Sequence, residues 1–429
     1  MTARDLLAAL GLALLLGAPA GVASAQNVPQ PAEDEEPIDL EALAKERQAA
    51  LLRPDAMSYR VRRYLSKAGE EMADGNLAEA KRLLLRLNPD RLSPFERANV
   101  YRLLAYVHYQ LSEEREALVA FEKAIAEQAL LLRDDVGIMF NVVQLHAALE
   151  EWDQVIEALD RWQRYVPAPT GLSYYLRAVA YYQLERYDDA IAAINKAVAL
   201  KDEPEESWYQ LQAALYVLKE DYASVTPVLE TLVTRFPKKT YWVQLSLIYG
   251  AREKYERSLA VQQLAYMQGF LTEDNELQRL ARSYVFAGLP YDAALVLEKG
   301  LESGAIEADS KAYEFLANSW IQAREFDRSL APLRKAAQLS EGGDLYVRLG
   351  QVHMAREEWS EAAELFRKAI EKGDLQNPGN AYLLLGISYY NDNRVDPAKA
   401  SFAQARRHEK SRKPADDWLA HIEKESQSG

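Results

Sequence analysis

The chain has 429 residues, carries 65 acidic against 51 basic side chains for a formal net charge of −14, and contains no cysteine. Lack of cysteine excludes a disulfide framework, thiolate zinc sites, a cysteine nucleophile and a cysteine-linked lipid anchor. The acidic balance argues against nucleic acid and anionic lipid as partners and suits a basic one, although the same balance also serves solubility.

At the N-terminus, Arg4 precedes an apolar run over 6–16, then Pro19 and Ala23-Ser24-Ala25 as an A-x-A cleavage site. This pattern predicts a cleaved secretory signal over 1–25, since the apolar run is too short for a permanent membrane span. Asp5 weakens the positive start only slightly. The mature chain is then expected to begin near Gln26 and to be soluble in a bacterial periplasm. Residues 26–37, proline-rich and acidic, have almost nothing to bury and are predicted to be a disordered leader. Over 38–59 an N-terminal helix and connector follow: Asp39 is placed to cap a helix through Leu52, with Leu40, Leu43 and Ala44 on one face, and Pro54 ends it.

From Arg60 to Arg407 one helical-hairpin pattern recurs about ten times, at a period of roughly 33–38 residues. The clearest copy reads Tyr174, Arg177, Ala178, Tyr181, Tyr187-Asp188-Asp189-Ala190, Ile194, Ala197. Others read Tyr346, Leu349-Gly350, His353, Trp359-Ser360-Glu361-Ala362, Phe366, Ala369, and Tyr382, Leu385-Gly386, Tyr389, Ala398, Phe402, Ala405. Small residues such as Gly350 and Ala362 let two antiparallel helices approach, while Tyr346, Leu349 and Phe366 fill the flanking gaps. Anchoring each copy on the small residue of its second helix gives Ala80, Ala117, Val155, Ala190, Val225, Ser258, Ala293, Ser329, Ala362 and Ala398. Val155 and Val225 are oversized there, so the third and fifth hairpins are expected to splay slightly. Prolines 167, 204 and 237 fall after second helices, where the chain must turn. In the turns, the aromatics of 185–188, 219–222, 252–255 and 324–327 are placed to cover the hairpin end. The basic stretch His408–Lys413, then Pro414 and a helix to about Glu425 carrying Trp418, Leu419 and Ile422, read as the segment (408–429) that closes the exposed end of a stack.

This spacing resembles the tetratricopeptide repeat. The resemblance implies an all-α, right-handed superhelical solenoid of about ten hairpins over 60–407, closed by a C-terminal capping helix, with protein binding in its concave groove. Inner positions of the first helices hold Arg102, Tyr106 and Tyr109 in the second copy and Phe140 and Gln144 in the third. Further copies place Tyr175 and Tyr182, Gln210, Gln278 and Arg282, and Glu314 and Asn318 there. Aromatics grip apolar or proline-rich side chains and amides pair with an extended backbone, though several of these tyrosines also suit packing against the next repeat. The Lys/Asn pattern with which some such domains clamp a C-terminal carboxylate is missing.

No catalytic motif is present: H-E-x-x-H, G-x-x-x-x-G-K and G-x-S-x-G are all lacking. His108, His146 and His353 occupy the first-helix slot that elsewhere holds Tyr181, Tyr216, Tyr249 and Tyr389, and read as packing residues; His408 and His421 lie near the C-terminus. The reading is therefore of a non-enzyme, with no catalytic residue, cofactor or metal.

Beyond the repeat, the chain resembles the periplasmic tetratricopeptide proteins associated with TonB systems. The likeness is carried by Tyr59-Arg60-Val61-Arg62-Arg63-Tyr64-Leu65, Val100-Tyr101-Arg102-Leu103-Leu104-Ala105-Tyr106, the stretch Phe236-Pro237-Lys238-Lys239-Thr240-Tyr241-Trp242 and residues 296–304. It implies an accessory role beside TonB, ExbB and ExbD. Two other readings stay open: a general scaffold for cell-wall, polysaccharide-export or outer-membrane assembly, and a sugar-binding or enzymatic site in which Tyr109 and Tyr182 stack on sugar rings.

Overall fold

A computed structural model describes residues 39–51 and 57–428. The signal sequence, the acidic leader and the break at Pro54 lie outside the described residues.

The described chain is helical throughout, apart from turns and one 3-10 turn at Pro89–Arg91. Helix α1 spans Leu40–Leu51. Ten antiparallel pairs follow: α2 (Tyr59–Ala73) with α3 (Leu77–Leu85), α4 (Pro94–Gln110) with α5 (Glu114–Ala126), α6 (Leu132–Ala148) with α7 (Trp152–Gln163), α8 (Gly171–Gln183) with α9 (Tyr187–Ala199), and α10 (Glu206–Leu218) with α11 (Tyr222–Arg235). Then come α12 (Lys239–Ala251) with α13 (Tyr255–Met267), α14 (Asp274–Phe286) with α15 (Pro290–Ser303), α16 (Ser310–Gln322) with α17 (Phe326–Leu339), α18 (Asp344–Ala355) with α19 (Trp359–Lys372), and α20 (Pro378–Asn391) with α21 (Val395–Ala405). Helix α22 (Glu409–Ser428) ends the chain. Two compact units divide these elements at Phe236 and Pro237, α1–α11 in the first and α12–α22 in the second.

The ten anchor residues all fall on the fourth residue of a second helix, and all are buried. Twelve residues before the anchor the first helix carries Gly, Ala or Ser in every copy but the third, which has Val143. Gly350 shows why the first-helix residue must be small: a Cβ there would meet the Phe366 ring at 2.7 Å, and one on Gly386 would meet Phe402 at 2.5 Å. Alanine serves in the neighbouring copies, as Ala105 against Phe121 and Ala178 against Ile194, all buried. Val155 and Val225 are fully buried too. In the sixth pair this crossing is bridged by polar groups of both helices. Ser258 Oγ donates to the Ser246 carbonyl at 2.8 Å, and the Gln262 amide donates to Ser258 Oγ at 3.3 Å.

One turn geometry recurs at every hairpin. The residue two before each second helix lies in the left-handed region: Gly75, Ser112, Glu150, Glu185, Glu220, Glu253, Gly288, Arg324, Glu357 and Asn393. The next amide then donates to a carbonyl five residues back, as Arg186 to Tyr181 at 2.8 Å and Lys254 to Tyr249 at 2.8 Å, which satisfies carbonyls the first helix leaves open. The turn aromatics begin the second helices; Tyr187 and Tyr222 are half-buried, while Tyr255 and Phe326 are 52% and 49% exposed. Tyr255 lies edge-on to Phe286 at 5.4 Å.

At the C-terminus, α22 starts at Glu409, not beyond Pro414, so the basic stretch after His408 is itself helical. The reason is close packing: Gly379 leaves room for His408 and Ser411, whose atoms would lie 2.5 and 2.6 Å from a Cβ there. Trp418 stacks on Phe402 at 5.6 Å, and Ile422 and Ala415 are buried against α20 and α21. At the other end, the Asp39 carboxylate accepts from the Glu41 and Ala42 amides at 3.1 and 2.9 Å, which starts α1.

Candidate functional site

Several of the side chains proposed for ligand contact lie where one first helix meets the next. Arg102 of α4 reaches Asp134 of α6 at 3.3 Å and donates to Asn99 Oδ1 at 3.0 Å. On the next turn, the Asn141 amide of α6 donates to the Tyr106 hydroxyl at 3.2 Å, while the Tyr106 ring lies edge-on to Phe121 at 5.1 Å. In the second unit, Gln278 accepts from Arg282 at 2.8 Å and donates to Asp274, and the Arg282 guanidinium lies 5.9 Å from the Phe315 ring of α16. Arg348 of α18 bridges Glu314 at 2.6 Å and also donates to Asn318 of α16. These positions form ladders of polar contacts from repeat to repeat.

The others divide by burial. Tyr109 is 59% exposed and Gln144 is exposed, so both are presented to solvent. Phe140 packs on Trp162 at 5.1 Å, Tyr175 stacks on Trp208 of the following hairpin at 5.2 Å, and Tyr182 lies 6.1 Å from Tyr187. Burial pushes the Tyr182 hydroxyl above its usual range. Gln210 is half-buried, its amide 3.5 Å from Glu206.

Sequence reasoning passed over Lys311, Arg348 and Asn380. With Glu314, Asp344 and Gln376 they line a polar cavity of about 880 Å³ at the starts of α16, α18 and α20. It also passed over what the first-helix histidines do. Nδ1 of His108, His146 and His353 meets the carboxylate five residues on, Glu113 at 2.5 Å, Glu151 at 2.8 Å and Glu358 at 2.5 Å. Hydrogen bonds from Lys81 and His108 hold Glu113 below the usual carboxylate range; His146 and Arg115 do so for Glu151, and Arg356 and His353 for Glu358. Where the slot holds tyrosine, arginine can replace the acid: Arg186 lies over Tyr181 at 4.4 Å and Arg394 over Tyr389 at 4.5 Å. Only these pairings, read across copies, would have shown the link in sequence.

Asp135, at the start of α6, is 1% exposed and pairs with Arg47 of α1; burial pushes its carboxyl up and Arg47 opposes this. Among the described residues there is no group of three or more histidines, cysteines or carboxylates that could hold a metal, and no helix is long and apolar enough to cross a membrane.

Two segments match tetratricopeptide repeat families, residues 171–204 and residues 347–414. No curated protein matches the chain. Among solved structures, a tetratricopeptide repeat protein from Parabacteroides merdae is 17% identical, with 77% of this chain and 99% of that one covered and a TM-score of 0.36. A fragment of MamA from Desulfovibrio magneticus is 18% identical, with 42% and 96% covered and a TM-score of 0.35.

Proposed function

We propose, from the premise that the chain is a tetratricopeptide repeat protein, that it is a non-enzymatic scaffold holding a protein partner along its first helices. The observation that carries this is the solvent-facing pair of unlike side chains on neighbouring copies, Tyr109 and Gln144, set beside the ladder of Arg102, Tyr106 and Asn141. An aromatic face grips apolar or proline-rich side chains, and a free amide pairs with an extended backbone.

The partner we infer is a TonB-type energy-transduction component, TonB, ExbB or ExbD, met in the periplasm after removal of the N-terminal signal. Support comes from the sequence resemblance and from charge. A proline-rich, basic, extended segment is already close to its bound conformation, and a chain of net charge −14 attracts it. A general envelope-assembly scaffold is the second reading and uses the same surface. The test is titration of the mature chain with a TonB periplasmic segment. Affinity is expected to fall several-fold with Tyr109→Ser plus Gln144→Ala, and to fall as salt rises from 50 to 300 mM; unchanged affinity in both arms would sink the reading.

A further inference from the structure

Helix α1 is held to the rest of its unit in an unusual way. Its described side chains are exposed or half-buried, and none is fully buried. Yet its Arg47 reaches across 88 residues to Asp135 and also donates to the Leu130 carbonyl at 3.4 Å. The Asp135 side chain is 1% exposed and that of Arg47 is 11% exposed. A carboxylate so deeply placed needs a cation beside it, because water cannot solvate it there.

The pairing is incomplete. Arg47 uses one nitrogen, Nη1, for both acceptors, and Asp135 Oδ1 is buried with no hydrogen-bond partner. A guanidinium carries five donors in a planar fork that matches both oxygens of a carboxylate. An arginine entering at a better angle would satisfy Oδ1 as well, which Arg47 does not do. A 12-residue helix is marginal in isolation, so α1 depends on this dock for its order.

We propose that Asp135 and the Leu130 carbonyl form a guanidinium socket, filled in cis by Arg47 of α1, and that an arginine of a bound protein partner takes it over and releases α1. The partner half of this rests on the scaffold reading above; the socket does not. Asp134, the residue before it, is paired with Arg102 at 3.3 Å, which puts the socket one residue from a position assigned to the proposed binding face.

The test is amide hydrogen exchange across α1 in the full mature chain. Arg47→Ala and Asp135→Asn are each expected to speed exchange of the α1 amides at least tenfold while leaving α12–α22 unchanged, and Asp134→Asn is expected to leave α1 protected. In the wild-type chain, L-argininamide at 50 mM is expected to reproduce that release, and L-lysinamide at the same concentration is not. Unaltered α1 protection in Arg47→Ala would overturn the cis contact. Equal effects of the two amides would overturn a guanidinium-specific socket. Arg47→Ala removes an exposed helix's contact, so it also answers the question if Asp135→Asn fails to fold.

Discussion

Replacing Gly350 with alanine tests the packing rule behind the repeat. Gly350 lies in α18 against Phe366 of α19, and both residues are buried. An added Cβ would sit 2.7, 2.8 and 3.0 Å from three ring atoms, well inside contact distance, so ring or helix must move. Overpacking of this kind costs about 1–3 kcal/mol. Alanine is better than glycine within a helix by about 1 kcal/mol, which offsets part of it. The expected net loss is therefore about 1 kcal/mol. In a Phe366→Leu background the clash is gone, since the eighth hairpin already seats Ala317 opposite Leu333 with both buried. There the same substitution should gain up to about 1 kcal/mol, reversing its sign. Urea unfolding followed by amide exchange in α18 and α19 reads the local stability, because repeat arrays lose two-state cooperativity. Equal effects of Gly350→Ala in both backgrounds would refute the close-approach argument.

Gly288→Ala places a side chain at φ 75° with open space around it, so the loss of about 1 kcal/mol expected in a thermal melt is purely conformational. Glu220→Gly, at φ 55°, should instead be neutral to stabilising by up to about 1 kcal/mol. Glu358 has its carboxyl held below the ordinary 4.5, chiefly by Arg356. The unfolded chain therefore binds more protons, and this contribution is complete above about pH 4.5 and lost as pH falls through the lower folded value. Arg356→Gln should flatten the drop in urea midpoint between pH 6 and pH 3; an unchanged slope would count against the pairing.

Small and large positions were legible because they repeat: each copy restates the same crossing, and Gly350, Gly386 and the anchor alanines follow from it. The turns were less so. Glycine marks the left-handed residue at Gly75 and Gly288, but glutamate holds it at Glu150, Glu185, Glu220, Glu253 and Glu357, where no residue type gives it away. Pro227 and Pro332 lie inside α11 and α17, so proline did not mark an end there. On the candidate face, helical spacing could not separate Tyr109, which is exposed, from Tyr175, stacked on Trp208, because the covering ring belongs to the next copy. Arg47 and Asp135 were equally hidden, being joined only by the return of α1 onto α6.

The central claim is that the first-helix face receives the partner, and the absence of native cysteine allows a direct test. A single cysteine at Gln144, exposed on α6, would carry a photo-crosslinker in cells, with Glu157, exposed on the second helix α7, as the comparison site. The account predicts that TonB, ExbB or ExbD is captured from position 144 and not from position 157. Capture of those proteins equally from both positions, or of other envelope components alone from position 144, would contradict it.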